Sequence, residues 1–105
     1  MPYSLYVIEL RPEVLDEPRF AKRNPDRRAD KPCVYVGQTA CTPEQRFAQH
    51  KAGLKSNKYA HEYGVRLRPR LTANRGPFAT RTEAEKAEKA LAERLRVRGY
   101  AVWCG

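Results

Sequence analysis

The residues from Tyr3 to Leu10, Tyr-Ser-Leu-Tyr-Val-Ile-Glu-Leu, constrain the fold more than any other stretch of the chain. They are rich in aromatic and β-branched types, carry apolar side chains on both alternating faces and stop at Arg11-Pro12, as a strand does. A strand that is apolar on both sides belongs in a sheet covered on both faces, so helices must pack against it. Cys33-Val34-Tyr35-Val36-Gly37 is a second strand signal, and with no helical crossover in between, the two strands pair most naturally as an antiparallel hairpin. The intervening residues 11–32 hold four prolines and mixed charges with little apolar periodicity, which reads as an inserted, extended polar loop.

Helix signals follow the hairpin. Thr42-Pro43-Glu44-Gln45 combines an N-cap threonine, proline at the first helical position and Gln three residues after the cap, and Gly53 is a natural stop. A shorter helix is expected from about Asn57 to Tyr63, stopped by Gly64. Val65 to Leu71 alternates apolar and basic residues, as either a strand or an extended basic loop. Thr82-Glu83-Ala84-Glu85 reads as a second capping box, opening the longest helix, which runs to about Arg98 with Gly99 after it. The tail Tyr100-Ala101-Val102-Trp103 suits an added edge strand, with Trp103 completing the core. At 105 residues, the chain has room for one hydrophobic core, hence a single domain over 1–105.

Charge narrows the partners. The chain has 21 Lys and Arg against 12 Asp and Glu, a formal +9, and such a basic surface attracts polyanions, nucleic acid first among them. Between Arg46 and Arg75, eight basic residues face one acidic residue, Glu62. Cys33, Cys41 and Cys104 form no CxxC pair and cannot all be bridged, which argues against a disulfide scaffold or a zinc site and for a reducing compartment. The first residues lack the pattern of a secretory leader, and no apolar run approaches the roughly 18 residues of a membrane span. The expectation is a cytoplasmic protein without membrane contact.

Three sets of residues carry candidate chemistry. Arg46 and His50 lie four apart, one turn along the same helix face, where they address one phosphate or simply face solvent. In the long helix, Ala84, Glu88, Leu91 and Leu95 form a single apolar stripe of which Glu88 is the only charged member. A carboxylate there is costly unless paired or bound to metal, or unless the stripe drifts toward Ala87 and leaves Glu88 at its boundary beside a Lys or Arg. Glu83, Glu85 and Glu93 lie elsewhere around the helix. Tyr59 and Tyr63, also four apart, suit core packing better than stacking on bases.

Leu5-Tyr6-Val7, then Tyr35-Val36-Gly37 with Gln38 and Thr39, then Arg46 and His50, then Glu88 in a late helix, resembles the GIY-YIG nuclease superfamily in type and order. The chain departs from that pattern at Leu5, where the family has glycine, at Val36, where it has isoleucine, and in a longer gap between Gly37 and Arg46. The resemblance implies an α+β fold, a small three-stranded antiparallel sheet flanked by about three helices. It also implies a phosphodiester hydrolase with Mg²⁺, or Mn²⁺ in its place, held by Glu88. In that reading Tyr35 or Tyr6 deprotonates or orients the attacking water, Arg46 stabilises developing negative charge, and His50 donates a hydrogen bond or relays a proton. Gly37, Gln38, Thr39, Lys51, Lys55, Lys58, Arg66, Arg68 and Arg70 are the expected nucleic-acid contacts, with DNA favoured over RNA and no protein partner indicated. The alternatives are a non-catalytic nucleic-acid-binding module of the same fold, and a small basic structural protein of a ribonucleoprotein particle.

Overall fold

A computed structural model describes residues 2–105. Strand β1 (Ser4–Leu10) pairs antiparallel with β2 (Cys33–Thr39), with Tyr6 opposite Gly37 and Ile8 opposite Tyr35, as the hairpin reading requires. The sheet has four strands rather than three, in the order β3-β1-β2-β4. Gly64–Leu67 forms β3, antiparallel to β1, and Ala101–Cys104 forms β4, which runs parallel to β2. The sheet is therefore mixed: the long helix carries the chain across the sheet before β4, and a crossover of that kind delivers a parallel strand.

Burial on both faces of β1 accounts for the layers. Tyr6, Ile8 and Leu10 pack with Val14, Phe20 and Tyr59 on one side, while Leu5 and Val7 pack with Val34, Val36 and Leu91 on the other. The second side is covered by α4 (Arg81–Val97), whose Ala84, Glu88, Leu91, Ala92 and Leu95 are buried. The first is covered by α1 (Pro18–Arg23), α2 (Pro43–Ala52) and α3 (Lys58–Tyr63). Tyr59 is buried and Tyr63 donates to Glu17 (2.8 Å), so both serve packing. Trp103 stacks beside Phe20 and meets Tyr59 edge-on.

Residues 11–32 are the main correction to the expected loop. They contain a 3₁₀ turn, Pro12–Asp16, and helix α1, and they bury Val14, Phe20 and Asn24. Two isolated apolar residues, Val14 and Phe20, are too few to show periodicity in sequence, yet both are fully buried. Asn24 holds the outer edge of β4 like an extra strand: its Oδ1 accepts from Val102 N–H (2.8 Å) and its Nδ2 donates to Val102 O (3.1 Å).

Helix α2 has the complete capping box of Thr42 and Gln45, and Gly53 follows it in a left-handed conformation (φ 79°). Helix α4 is capped by Thr80 rather than Thr82, with Glu83 again the third residue after the cap. Two threonines two residues apart offered the same signal, and the earlier one was used.

Candidate functional site

Strand β4 pairs with Cys33–Val36 of β2, and Gly37–Thr39 lies beyond those pairs. A groove of about 880 Å³ lies along Gly37–Thr39, where Glu88 arrives from one layer and Tyr6, Tyr35 and Arg46 from the other. The extra residue between Gly37 and Arg46 is absorbed before α2: Ala40 and Cys41 bend, and Thr39 Oγ1 accepts from Cys41 N–H (3.0 Å). Arg46 consequently faces the groove.

Gly37 is needed where the tyrosine of the neighbouring strand crosses it. A Cβ at that position would run into the Tyr6 ring and hydroxyl. Without one, the rings of Tyr6, Tyr35 and His50 form a compact triangle, with centroids 6.2 Å apart for Tyr6–Tyr35, 5.9 Å for Tyr6–His50 and 5.3 Å for Tyr35–His50.

His50 does not share the groove with Arg46. It is fully buried behind Tyr6, and its Nδ1 accepts from the Asn57 backbone N–H (3.2 Å). Its proton therefore sits on Nε2, which donates to Tyr6 Oη (2.9 Å). Burial, and then the Arg46 charge, push the His50 pKa down to about 4, so the ring stays neutral. A direct phosphate contact, one of the two sequence readings of the Arg46 and His50 pair, is ruled out by this burial; His50 can act only through Tyr6.

With Tyr6 Oη accepting from His50, its own proton is directed away from that histidine. Burial raises the Tyr6 hydroxyl well above the usual phenol range, with the Arg46 charge opposing. Tyr35 is pushed up to about 12, by burial first and by Glu88 second. Glu88, only 4% exposed, is pushed up to about 7 by burial and by Glu85, with Lys89 opposing. No hydrogen bond or ion pair from a described residue reaches its carboxylate. Arg46 is held against the far wall, donating to Gln49 Oε1 (3.1 Å), Leu54 O (3.4 Å) and Lys55 O (2.8 Å).

The expected basic binding stretch is divided by the fold. Gly37, Gln38, Thr39 and Lys55 line the groove. Lys51 donates to Gly64 O (2.9 Å), Lys58 pairs with Glu17 (3.2 Å), and Arg66 and Arg68 both pair with Glu9 (3.8 and 2.9 Å). Arg68 borders a separate hollow at the opposite end of the strands, and Arg70 lies on the 3₁₀ turn Pro69–Thr72, outside the groove. Alternation along the sequence could not reveal that Glu9 on β1 faces Arg66 on β3. Sequence reading missed Gln49, Leu54 and Arg81, which also line the groove. A signal existed for Arg81: it lies seven residues before Glu88, two turns along the same face.

The GIY-YIG catalytic-domain model matches residues 23–101, about three quarters of the chain. The chain belongs to the GIY-YIG family. The GIY-YIG match takes in β2, α2, α3, β3 and α4, while β1 with Tyr6 lies ahead of it and joins the site by pairing with β2. GIY-YIG domains are typically endonucleases acting on nucleic acid. Comparison with curated proteins and with solved structures finds no match. Among the described residues, no helix is long and apolar enough to cross a membrane.

Proposed function

We propose that this protein is a Mg²⁺-dependent endonuclease that hydrolyses phosphodiester bonds of nucleic acid, DNA before RNA. The observation that carries the reading is Glu88: a residue 4% exposed whose carboxylate has no hydrogen-bond or ion-pair partner among the described residues and opens on the groove that holds Arg46, Tyr6 and Tyr35. Burying such a group uncompensated is costly, and a bound cation removes the cost.

The residues fit a hard divalent ion. Among the described residues, no three His, Cys, Asp or Glu side chains gather into a full cage. Mg²⁺ keeps most of its waters and needs only one or two carboxylates, so Glu88 would suffice, with Mn²⁺ as a substitute. When bound, the ion supplies charge to polarise the phosphate and to ease departure of the leaving oxygen.

The chain's own residues do the rest. Arg46, fixed in place by Gln49, Leu54 and Lys55, offers charge to the oxygens of the phosphate as negative charge develops there. Tyr35, pushed up to about 12 and therefore carrying its proton, orients the attacking water through its hydroxyl. Tyr6, oriented by His50, donates a hydrogen bond into the groove. The three free thiols suit a reducing, cytoplasmic setting.

The test is cleavage of branched, single-stranded and duplex DNA and of RNA, with Mg²⁺ or EDTA. Glu88→Ala should abolish cleavage with nucleic-acid binding retained, and Arg46→Ala should slow it by on the order of 10²-fold or more. Tyr35→Phe should be slow with folding preserved. Cleavage that persists in Glu88→Ala overturns the assignment, and a wild type that binds without cutting any substrate is a binding module instead.

A further inference from the structure

Several cations of this chain are engaged by the protein itself, but two that line the groove are not. Lys51, Lys58, Arg66, Arg68 and Arg96 are engaged by carbonyls or carboxylates. The side chains of Lys55 and Arg81 form no ion pair among the described residues, and both line the groove. Arg81 stands at the first position of α4, and Glu88 follows two turns later on the same face. A helix rises 1.5 Å per residue, so the two lie about 10 Å apart along the α4 axis. Nucleic acid carries one charge per about 3.4 Å of axis on each strand, so that span covers about three nucleotides. Across the groove stand Arg46 and Lys55.

We infer that Arg81 binds a backbone phosphate about three nucleotides from the scissile one, so that a strand runs along α4 from Arg81, past Glu88, toward Arg46 and Lys55. The inference rests on the nuclease reading and gives it a direction: α4 supplies both the cation-holding carboxylate and the guide for the strand. Arg81 is a positioning residue, and its flexible, solvated side chain can follow a phosphate without disturbing Glu88. Leu54, 61% exposed at the lip beside Lys55, faces the sugar or base at the other end of the path.

The experiment is fluorescence anisotropy of labelled single-stranded and duplex DNA in EDTA over a NaCl series, for the wild type, Arg81→Gln, Arg81→Lys and Arg68→Gln. Loss of one phosphate contact lowers the slope of log K against log salt by about 0.7 for single strands and about 0.9 for duplex. Arg81→Gln should show that drop, while Arg81→Lys and Arg68→Gln should keep the wild-type slope. A scan of single methylphosphonate linkages should find one position that weakens wild-type binding but has no further effect in Arg81→Gln. A wild-type slope in Arg81→Gln, or a methylphosphonate profile identical in the two proteins, overturns this inference and leaves the nuclease reading standing. A wild type that binds DNA without salt dependence overturns both.

Discussion

Residue by residue, the site is organised by what burial does to titratable groups. Glu88 and His50 are both buried and shifted in opposite directions, so they act oppositely on stability. The raised pKa of Glu88, about 7 against 4.5, favours the folded state while Glu88 is protonated; that stability is present below 4.5 and is lost as pH rises through 7. His50, lowered from 6.5 to about 4, favours the folded state while neutral; that stability is present above 6.5 and is lost as pH falls through 4. The shifts are of similar size, each worth on the order of 3 kcal/mol, so the two nearly cancel between these limits. Urea unfolding of Glu88→Gln should therefore show a gain over wild type at pH 8 and a new loss of stability from pH 6.5 down to 4; a flat profile in the variant would contradict the His50 environment. Mg²⁺ should raise the melting temperature of the wild type at pH 8 and not at pH 5, where Glu88 is protonated, and should not raise that of Glu88→Gln at either pH. Gly37→Ala should cost about 1 to 3 kcal/mol, because the new methyl displaces Tyr6 from His50. Tyr6 fluorescence or ring NMR shifts would report that displacement.

At the scale of elements, caps and edges decide where the site falls. Thr80, not Thr82, accepts from Glu83 N–H (3.2 Å), so Thr80→Ala should cost about 1 kcal/mol while Thr82→Ala costs little. Thermal melts of the two variants distinguish the caps, and the reverse ranking would move the start of α4 and with it Arg81. The segment between β1 and β2 matters as more than a loop. Asn24 is 2% exposed and satisfies both backbone groups on the outer side of Val102, with Arg96 Nε also donating to its Oδ1 (3.3 Å). This closes the β4 edge against pairing with another chain. Asn24→Ala strands buried donors and acceptors and should destabilise by on the order of 3 kcal/mol, measured in urea. It should also promote self-association, seen by size-exclusion chromatography.

For the whole molecule, the dominant facts are the +9 charge and its uneven use. Self-repulsion at this charge opposes the compact state, so added salt should stabilise the protein, and an oligonucleotide should do so at far lower concentration by binding the folded form. Melting temperatures at about 0.05 and 0.5 M NaCl, with and without a short oligonucleotide, check this. If the oligonucleotide changes nothing at low salt, the groove is not its site. The hollow at the other end of the strands mixes Arg27, Arg28 and Lys31 with Glu9 and Asp30. Asp30 there pairs with Arg28 and Glu9 with Arg68, whereas Lys55 and Arg81 on the groove form no ion pair among the described residues.

Local chemistry was legible in the sequence wherever a residue's role depends on its neighbours in the chain. The β1–β2 hairpin, the α2 capping box, the stop at Gly53 and the buried stripe of α4 all follow from spacing and residue type. What depends on partners distant in sequence was decided by tertiary structure. Glu9 pairs with Arg66 and Arg68, Asn57 and Tyr6 enclose His50, and Phe20 turns a polar loop into part of the core. The crossing of α4 makes β4 parallel to β2 and brings Glu88 to the groove that Tyr6 and Tyr35 line. No pattern in the chain records that meeting, because it depends on how the helix and the strands pack in the assembled sheet.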